Sequence, residues 1–138
     1  MGEQLTESDV KKIKEEIERY SIIRTVTAVE RADVVLVVID AVEGVTEQDT
    51  KVIGYTQDQG RALIILINKW DLIKDDKKRQ EQLLEEVRIA VKFIPFAPIL
   101  KVSALTGTGI KRLFPEIGKV HRQFHQRFPT SLLNRVLE

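Results

Sequence analysis

ALIILINKWD, residues 62–71, runs from an apolar stretch directly into an amide, an ammonium, an indole and a carboxylate. Ala62 to Lys69 reads as a buried strand, and Asn68 to Asp71 fall where that strand leaves the core. Open parallel sheets hold their ligands at the carboxyl ends of the strands, so this corner is where a site is expected. Whether the sheet is parallel depends on what lies to either side.

Upstream, ADVVLVVIDA (Ala32 to Ala41) is a continuous, mostly β-branched run, which suits a parallel strand covered on both faces. Downstream, ILKVSA (Ile99 to Ala104) is a third, short strand. The segments between them have helical signatures. Glu43-Gly44 supplies a turn, Thr46-Glu47-Gln48-Asp49 can cap a helix, and Gly60 can close it after Gln59. Leu83, Leu84, Val87 and Val91 make one apolar stripe on an otherwise charged helix from about Asp76 to Lys92. Ile110, Leu113, Ile117, Val120 and Phe124 define a last amphipathic helix, with Pro115 tolerated in its first turn. Before the first strand, Thr6-Glu7-Ser8-Asp9 can cap a helix reaching about Arg31, with Val10, Ile13, Ile17 and Tyr20 at helical spacing. Strands alternating with helices predict an α/β fold of three layers, a parallel sheet of about three strands with helices on both faces.

Composition narrows the partners. The chain has 138 residues, 43% of them hydrophobic, enough for one domain with a core. Lysine and arginine number 22 against 21 acids, so overall charge points to neither nucleic acid nor membrane. There is no cysteine, which excludes disulfides, thiol catalysis and thiolate metal sites and fits a reducing cytosol. No apolar run approaches the ~20 residues that span a bilayer, so a cytoplasmic protein without membrane contact is expected. Gly2 gives a weak myristoylation match that is set aside.

The corner has specific chemistry. Guanine presents two adjacent donors, the ring N1–H and the 2-amino group, and one ionised carboxylate such as Asp71 accepts both. Adenine in the same pose turns an acceptor toward that carboxylate and is rejected. Asn68 can serve the base's Hoogsteen edge or brace a neighbouring loop, the stem of Lys69 can lie over the purine, and a backbone N–H near Ala104 can donate to O6.

Asn68-Lys69-Trp70-Asp71 resembles the NKxD guanine-specificity motif of the P-loop GTPases, and Ser103-Ala104-Leu105 resembles their second base-contacting motif, SAL or SAK. Together they nominate Asn68, Lys69, Asp71, Ser103, Ala104 and Leu105 as guanine-binding. YSIIRT (20–25), ERADVVLVVIDA (30–41), EGVTEQD (43–49) and TSLLNRVLE (130–138) resemble the second G domain of the Der (double-Era-like) bacterial GTPases. The resemblance implies a P-loop-GTPase-like fold, GTP or GDP as ligand, Mg²⁺ in an intact parent protein, and a role in assembly of the large ribosomal subunit with the ribosome or its RNA as partner. On that basis residues 1–19 are a helical start of uncertain origin, 20–128 a partial G domain, and 129–138 the start of a linker toward a KH-like domain.

The phosphate machinery is missing from the sequence. No G-x-x-x-x-G-K-[ST] occurs; the one Gly-Lys pair, Gly118-Lys119, is followed by Val120. No aspartate has a glycine three residues later, so D-x-x-G is absent as well. Phosphoryl transfer is catalysed by positioning and charge neutralisation around the phosphates, so weak phosphate affinity and no hydrolysis are expected of this chain alone. An intact P-loop GTPase would require residues upstream of Met1. The family's P-loop strand lies beside the strand matching Ala32 to Ala41, so an unpaired apolar edge and self-association through it are expected. The competing reading is a non-catalytic interaction module that uses this edge or the basic last helix.

Other features read as structural. Asp40 at a strand end and Trp70 are assigned to packing and support. His121 and His125, four apart on a helix, can grip a metal, but no third ligand is evident, so no metal site is assigned. Lys111, Arg112, Lys119, Arg122 and Arg127 are read as solvated helix surface, as is the mixed-charge run Lys74 to Arg79.

Overall fold

The computed structural model describes residues 6–127. Gly2, the linker expected at 129–138 and the stretch 130–138 therefore lie outside the described residues. The elements in order are α1 (Glu7–Arg31), β1 (Val34–Asp40), α2 (Glu47–Asp58), β2 (Ala62–Asn68), a 3₁₀ turn (Trp70–Leu72), α3 (Lys77–Ala90), β3 (Ile99–Lys101), a second 3₁₀ turn (Ile110–Arg112) and α4 (Leu113–Arg127). All three strands are parallel, in the order β1-β2-β3.

The caps follow the sequence. Thr6 and Thr46 each form a capping box, with Asp9 and Asp49 respectively. Gly60, at φ 65°, ends α2 in the left-handed region. Pro115 falls within the first turn of α4, where no intrahelical N–H is lost.

The central strand carries most of the core. All of Ala62 to Ile67 are buried. Val35, Val37, Ile39, Leu63, Ile65 and Ile67 pack on one face against Ile53 of α2 and Leu83 and Val87 of α3. On the other face, Ala62, Ile64, Leu66 and Val102 meet Leu113, Ile117, Val120 and Phe124 of α4. Truncating a β2 residue such as Ile65 to alanine leaves a cavity against helices on that face, at a cost of about 2–5 kcal/mol.

Two expectations are corrected. β1 is covered on one face only. Leu36 is 37% and Val38 54% exposed, because α4 lies over β2 and reaches β1 only near Val34. Arg79, read as part of a solvated run, is half-buried instead. Its guanidinium donates to the carbonyls of Ala41 and Val42 and faces Glu86, tying α3 to the turn after β1.

α1 runs unbroken through residues 19 and 20. Its last turns attach it: Val29 is buried, Tyr55 Oη donates to the Glu30 carboxylate at 2.7 Å, and Arg61 donates to the Glu30 carbonyl. Earlier in the helix Val10, Ile13, Ile17 and Tyr20 form an uncovered apolar stripe.

Candidate functional site

The corner at the ends of β2 and β3 is assembled mainly by backbone bonds. Val102 N–H donates to Ile67 at 2.9 Å, and Trp70 N–H returns to the Val102 carbonyl at 3.2 Å. The two strand ends are thereby stitched one residue at a time. Asn68 completes the stitch with its side chain, since Oδ1 accepts the Ala104 N–H at 3.0 Å. Of the two roles open to Asn68, the structure shows the brace. The Ala104 N–H is engaged by this bond, so donating to a purine O6 requires it to be shared or exchanged.

Lys69 adopts φ 64°, ψ 26°, a left-handed conformation uncommon for a side-chain-bearing residue. The kink turns the chain sharply out of β2 into the 3₁₀ turn that carries Asp71. Lys69 Nζ pairs with Asp40 Oδ2 at 2.6 Å, a partnership set by the parallel register that places Asp40 beside Asn68. Hydrogen bonding to the ammonium holds the Asp40 carboxyl below its ordinary value and raises the lysine above its own. Asp40 also accepts the N–H groups of Val42 and Glu43, so it supports the corner rather than facing outward.

Asp71 is half-buried, and among the described residues its carboxylate has no hydrogen-bond or ion-pair partner. Ser103 is only 1% exposed, and its hydroxyl accepts the Thr106 N–H within its own loop. Leu105 is 91% exposed. The structure therefore brings Asn68 and Ala104 into direct contact, with Lys69 and Asp71 following Asn68 along the chain, Leu105 exposed next to Ala104, and Ser103 buried as a loop brace. Trp70 packs against the core, and Lys101 Nζ lies 4.7 Å from its ring centroid, a cation–π contact that local sequence reading does not show.

The elongation factor Tu GTP-binding domain model matches residues 18–128. The chain belongs to that GTP-binding domain family. The GTPase Der of Syntrophotalea carbinolica is 50% identical over 127 residues, which cover 92% of this chain and 29% of that protein. The chain thus spans under a third of the length of this relative. An Era variant of Aquifex aeolicus solved with GDP and AlF4⁻ is 31% identical, with a TM-score of 0.57 over 69% of this chain and 31% of its own. Era in complex with MgGDPNP and a segment of 16S ribosomal RNA matches equally, at 31% identity and a TM-score of 0.57 over the same shares. The resemblance to Der and the α/β GTPase fold read from the sequence are both borne out.

A concavity of about 740 Å³ lies at the end of the sheet opposite the corner, between the start of β2, Phe93, Phe96 and α4. What sets the corner apart from this concavity is the unpartnered Asp71 carboxylate beside the bridged strand ends.

No membrane-crossing helix occurs among the described residues. The family implies Mg²⁺ alongside the nucleotide, but the residues present do not fit it. Asp40 is committed to Lys69 and two backbone N–H groups, and the sequence has no P-loop hydroxyl. No phosphoryl-transfer step is assigned to these residues.

Proposed function

We propose that the corner reads the guanine base of GTP or GDP, as the base-recognition part of a Der-type GTPase, with residues 20–128 forming that part of the G domain. The observation that carries this reading is the bond from Ala104 N–H to Asn68 Oδ1, which joins the two strand ends beside a carboxylate with no protein partner. Asp71 accepts N1–H and the 2-amino group, a charge-assisted pair of bonds that adenine cannot match. Asn68 fixes the loop of Ala104 and Leu105 at the base edge, and the Asp40 pair fixes the stem of Lys69 beside the purine plane.

Binding by the base alone is weak. Without a phosphate cradle, millimolar affinity is expected, roughly 4 kcal/mol. Assembly of the large ribosomal subunit in the cytoplasm is what the resemblance to the Der-type GTPases implies; a ribosomal partner is in keeping with the complex of Era with a segment of 16S ribosomal RNA. Hydrolysis is not assigned to this chain alone.

The test is a titration with GDP followed by amide NMR, with guanosine and ADP as controls. Shifts at 68–71 and 103–105 with GDP and guanosine but not ADP are expected. Asp71→Asn, which offers a donor in place of an acceptor, moves the preference from guanosine to xanthosine. An unchanged preference, or equal shifts with ADP, refutes the reading.

A second reading rests on its own observation. The outer edge of β1 pairs with no strand among the described residues, and Leu36 and Val38 are exposed beside it. Such an edge accepts another strand, from a second copy or a complementary segment. Concentration-dependent mass by light scattering supports it, and a monomer at high concentration sinks it.

A further inference from the structure

Both histidines of the chain lie on α4, one turn apart. Their Nε2 atoms face each other at 3.0 Å, with ring centroids 4.3 Å apart and planes at 68°. Sequence reading found no third ligand for this pair. The fold supplies one. Asp33, in the short turn between α1 and β1, places Oδ2 3.9 Å from His121 Nε2, and all three donor atoms lie within 4.8 Å of one another.

The geometry points to a binding site for a divalent transition-metal ion, Zn²⁺ as the type case, held by His121 Nε2, His125 Nε2 and an Asp33 carboxylate oxygen. Ion–nitrogen and ion–oxygen bonds of about 2.0–2.2 Å put neighbouring donors roughly 3.0–3.4 Å apart, depending on coordination number. The histidine pair already has that separation, and a rotation of the exposed Asp33 side chain closes the two remaining edges, 3.9 Å to His121 and within 4.8 Å to His125. Without an ion, one Nε2–H donates to the other Nε2; when an ion binds, that ring's proton passes through solvent to Nδ1, so that both Nε2 lone pairs face the metal. Two imidazoles and one carboxylate suit zinc, copper, nickel or cobalt better than magnesium or calcium. Three protein ligands leave the remaining positions to water.

Such an ion ties α4 to the start of β1, where α4 otherwise makes few contacts. It sits at the amino end of β1, while the base corner sits at the carboxyl ends. Seven residues at about 3.3 Å each separate those ends by roughly 20 Å. The site is therefore independent of nucleotide reading.

The experiment titrates the untagged chain with zinc chloride and follows the imidazole nitrogens by long-range ¹⁵N–¹H NMR, with calorimetry for stoichiometry. Because the chain has only two histidines, every imidazole signal belongs to this cluster. One ion per chain, a shift of both Nε2 resonances and slower amide exchange along α4 are expected. Asp33→Asn and His125→Ala should each weaken binding by no less than the ~10-fold that loss of a supporting residue costs at metal sites. Excess Mg²⁺ should move neither resonance. Unmoved imidazoles at millimolar zinc overturn the assignment, as does wild-type affinity in both variants. If a variant fails to fold, the wild-type imidazole spectrum decides alone. The guanosine titration of Asp33→Asn separates failure here from failure at the base corner.

Discussion

Gly109 is the residue on which the loop after β3 closes, and Gly109→Ala should be among the costlier single-methyl changes in the chain. Its φ is +79°, and a Cβ there would drive into the Lys101 carbonyl oxygen while lying 3.2 and 3.3 Å from Val102 Cγ1 and Cα. The left-handed conformation costs an alanine about 1–2 kcal/mol. Reduced unfolded-state entropy returns about 0.4–1 kcal/mol. Pushing a methyl group into packed backbone adds about 1–3 kcal/mol. The net is roughly 2–4 kcal/mol, a fall in Tm of about 8–16 °C at ~4 °C per kcal/mol for a domain of this size. Gly60→Ala is the control. Its φ is +65° and nothing lies within 4 Å of the added methyl, so it incurs the conformational cost alone. Urea unfolding of both variants, followed by circular dichroism, isolates the close approach as their difference. If Gly109→Ala is no less stable than Gly60→Ala, the packing of this loop on β3 is not as described.

Asn68→Ala removes the bridge to Ala104 and should cost about 1 kcal/mol in stability, with guanosine affinity reduced several-fold; unchanged affinity in an NMR titration would show that the bridge does not organise the site. For the Asp40–Lys69 pair the signs differ. The lowered Asp40 value gives a contribution present above the ordinary 3.8 and lost as pH falls through the native value, while the raised Lys69 value gives one present below 10.5 and lost as pH rises through the native value. The stability gap between wild type and Asp40→Asn, measured by denaturation across pH, should therefore be flat near neutrality and narrow at both extremes. Val38→Lys places a charge on the open face of β1 and should reduce self-association in light scattering without lowering Tm by more than about 0.5 kcal/mol equivalent.

The fold was legible because its signals are local and redundant. Each capping box, the closing Gly60 and the unbroken apolar run of Ala62 to Ile67 announce themselves within a few residues. That NKWD and SAL meet was legible for a different reason: each follows a strand, and parallel register carries the strand ends to one place. What was not legible depends on distant neighbours. β1 has the same composition as a doubly covered strand, and only the reach of α4 shows that Leu36 and Val38 are bare. Arg79 sits in a run of charges that looks uniformly solvated, yet its turn of α3 faces the carbonyls after β1. Asp33 stands far from the histidines in sequence, so no spacing rule on α4 could include it.

The same dependence on neighbours separates recognition from exposure in this molecule. The bonds that join the two motifs, from Val102 to Ile67, from Trp70 to Val102 and from Ala104 to Asn68, all run between the carboxyl ends of β2 and β3 and the residues that follow them. None of them uses the outer edge of β1 or its open face. The end of β1 enters through Asp40, paired with Lys69, and through the Ala41 N–H, which donates to the Asn68 carbonyl at 2.9 Å; both need the β1-β2 register and nothing beyond it. A change that covers or charges the bare face should therefore alter association while leaving guanine selectivity in place. Carried out on Val38→Lys, the guanosine and ADP titration should give the wild-type preference. If selectivity is lost there instead, the corner is held by the whole sheet and not by its own stitching.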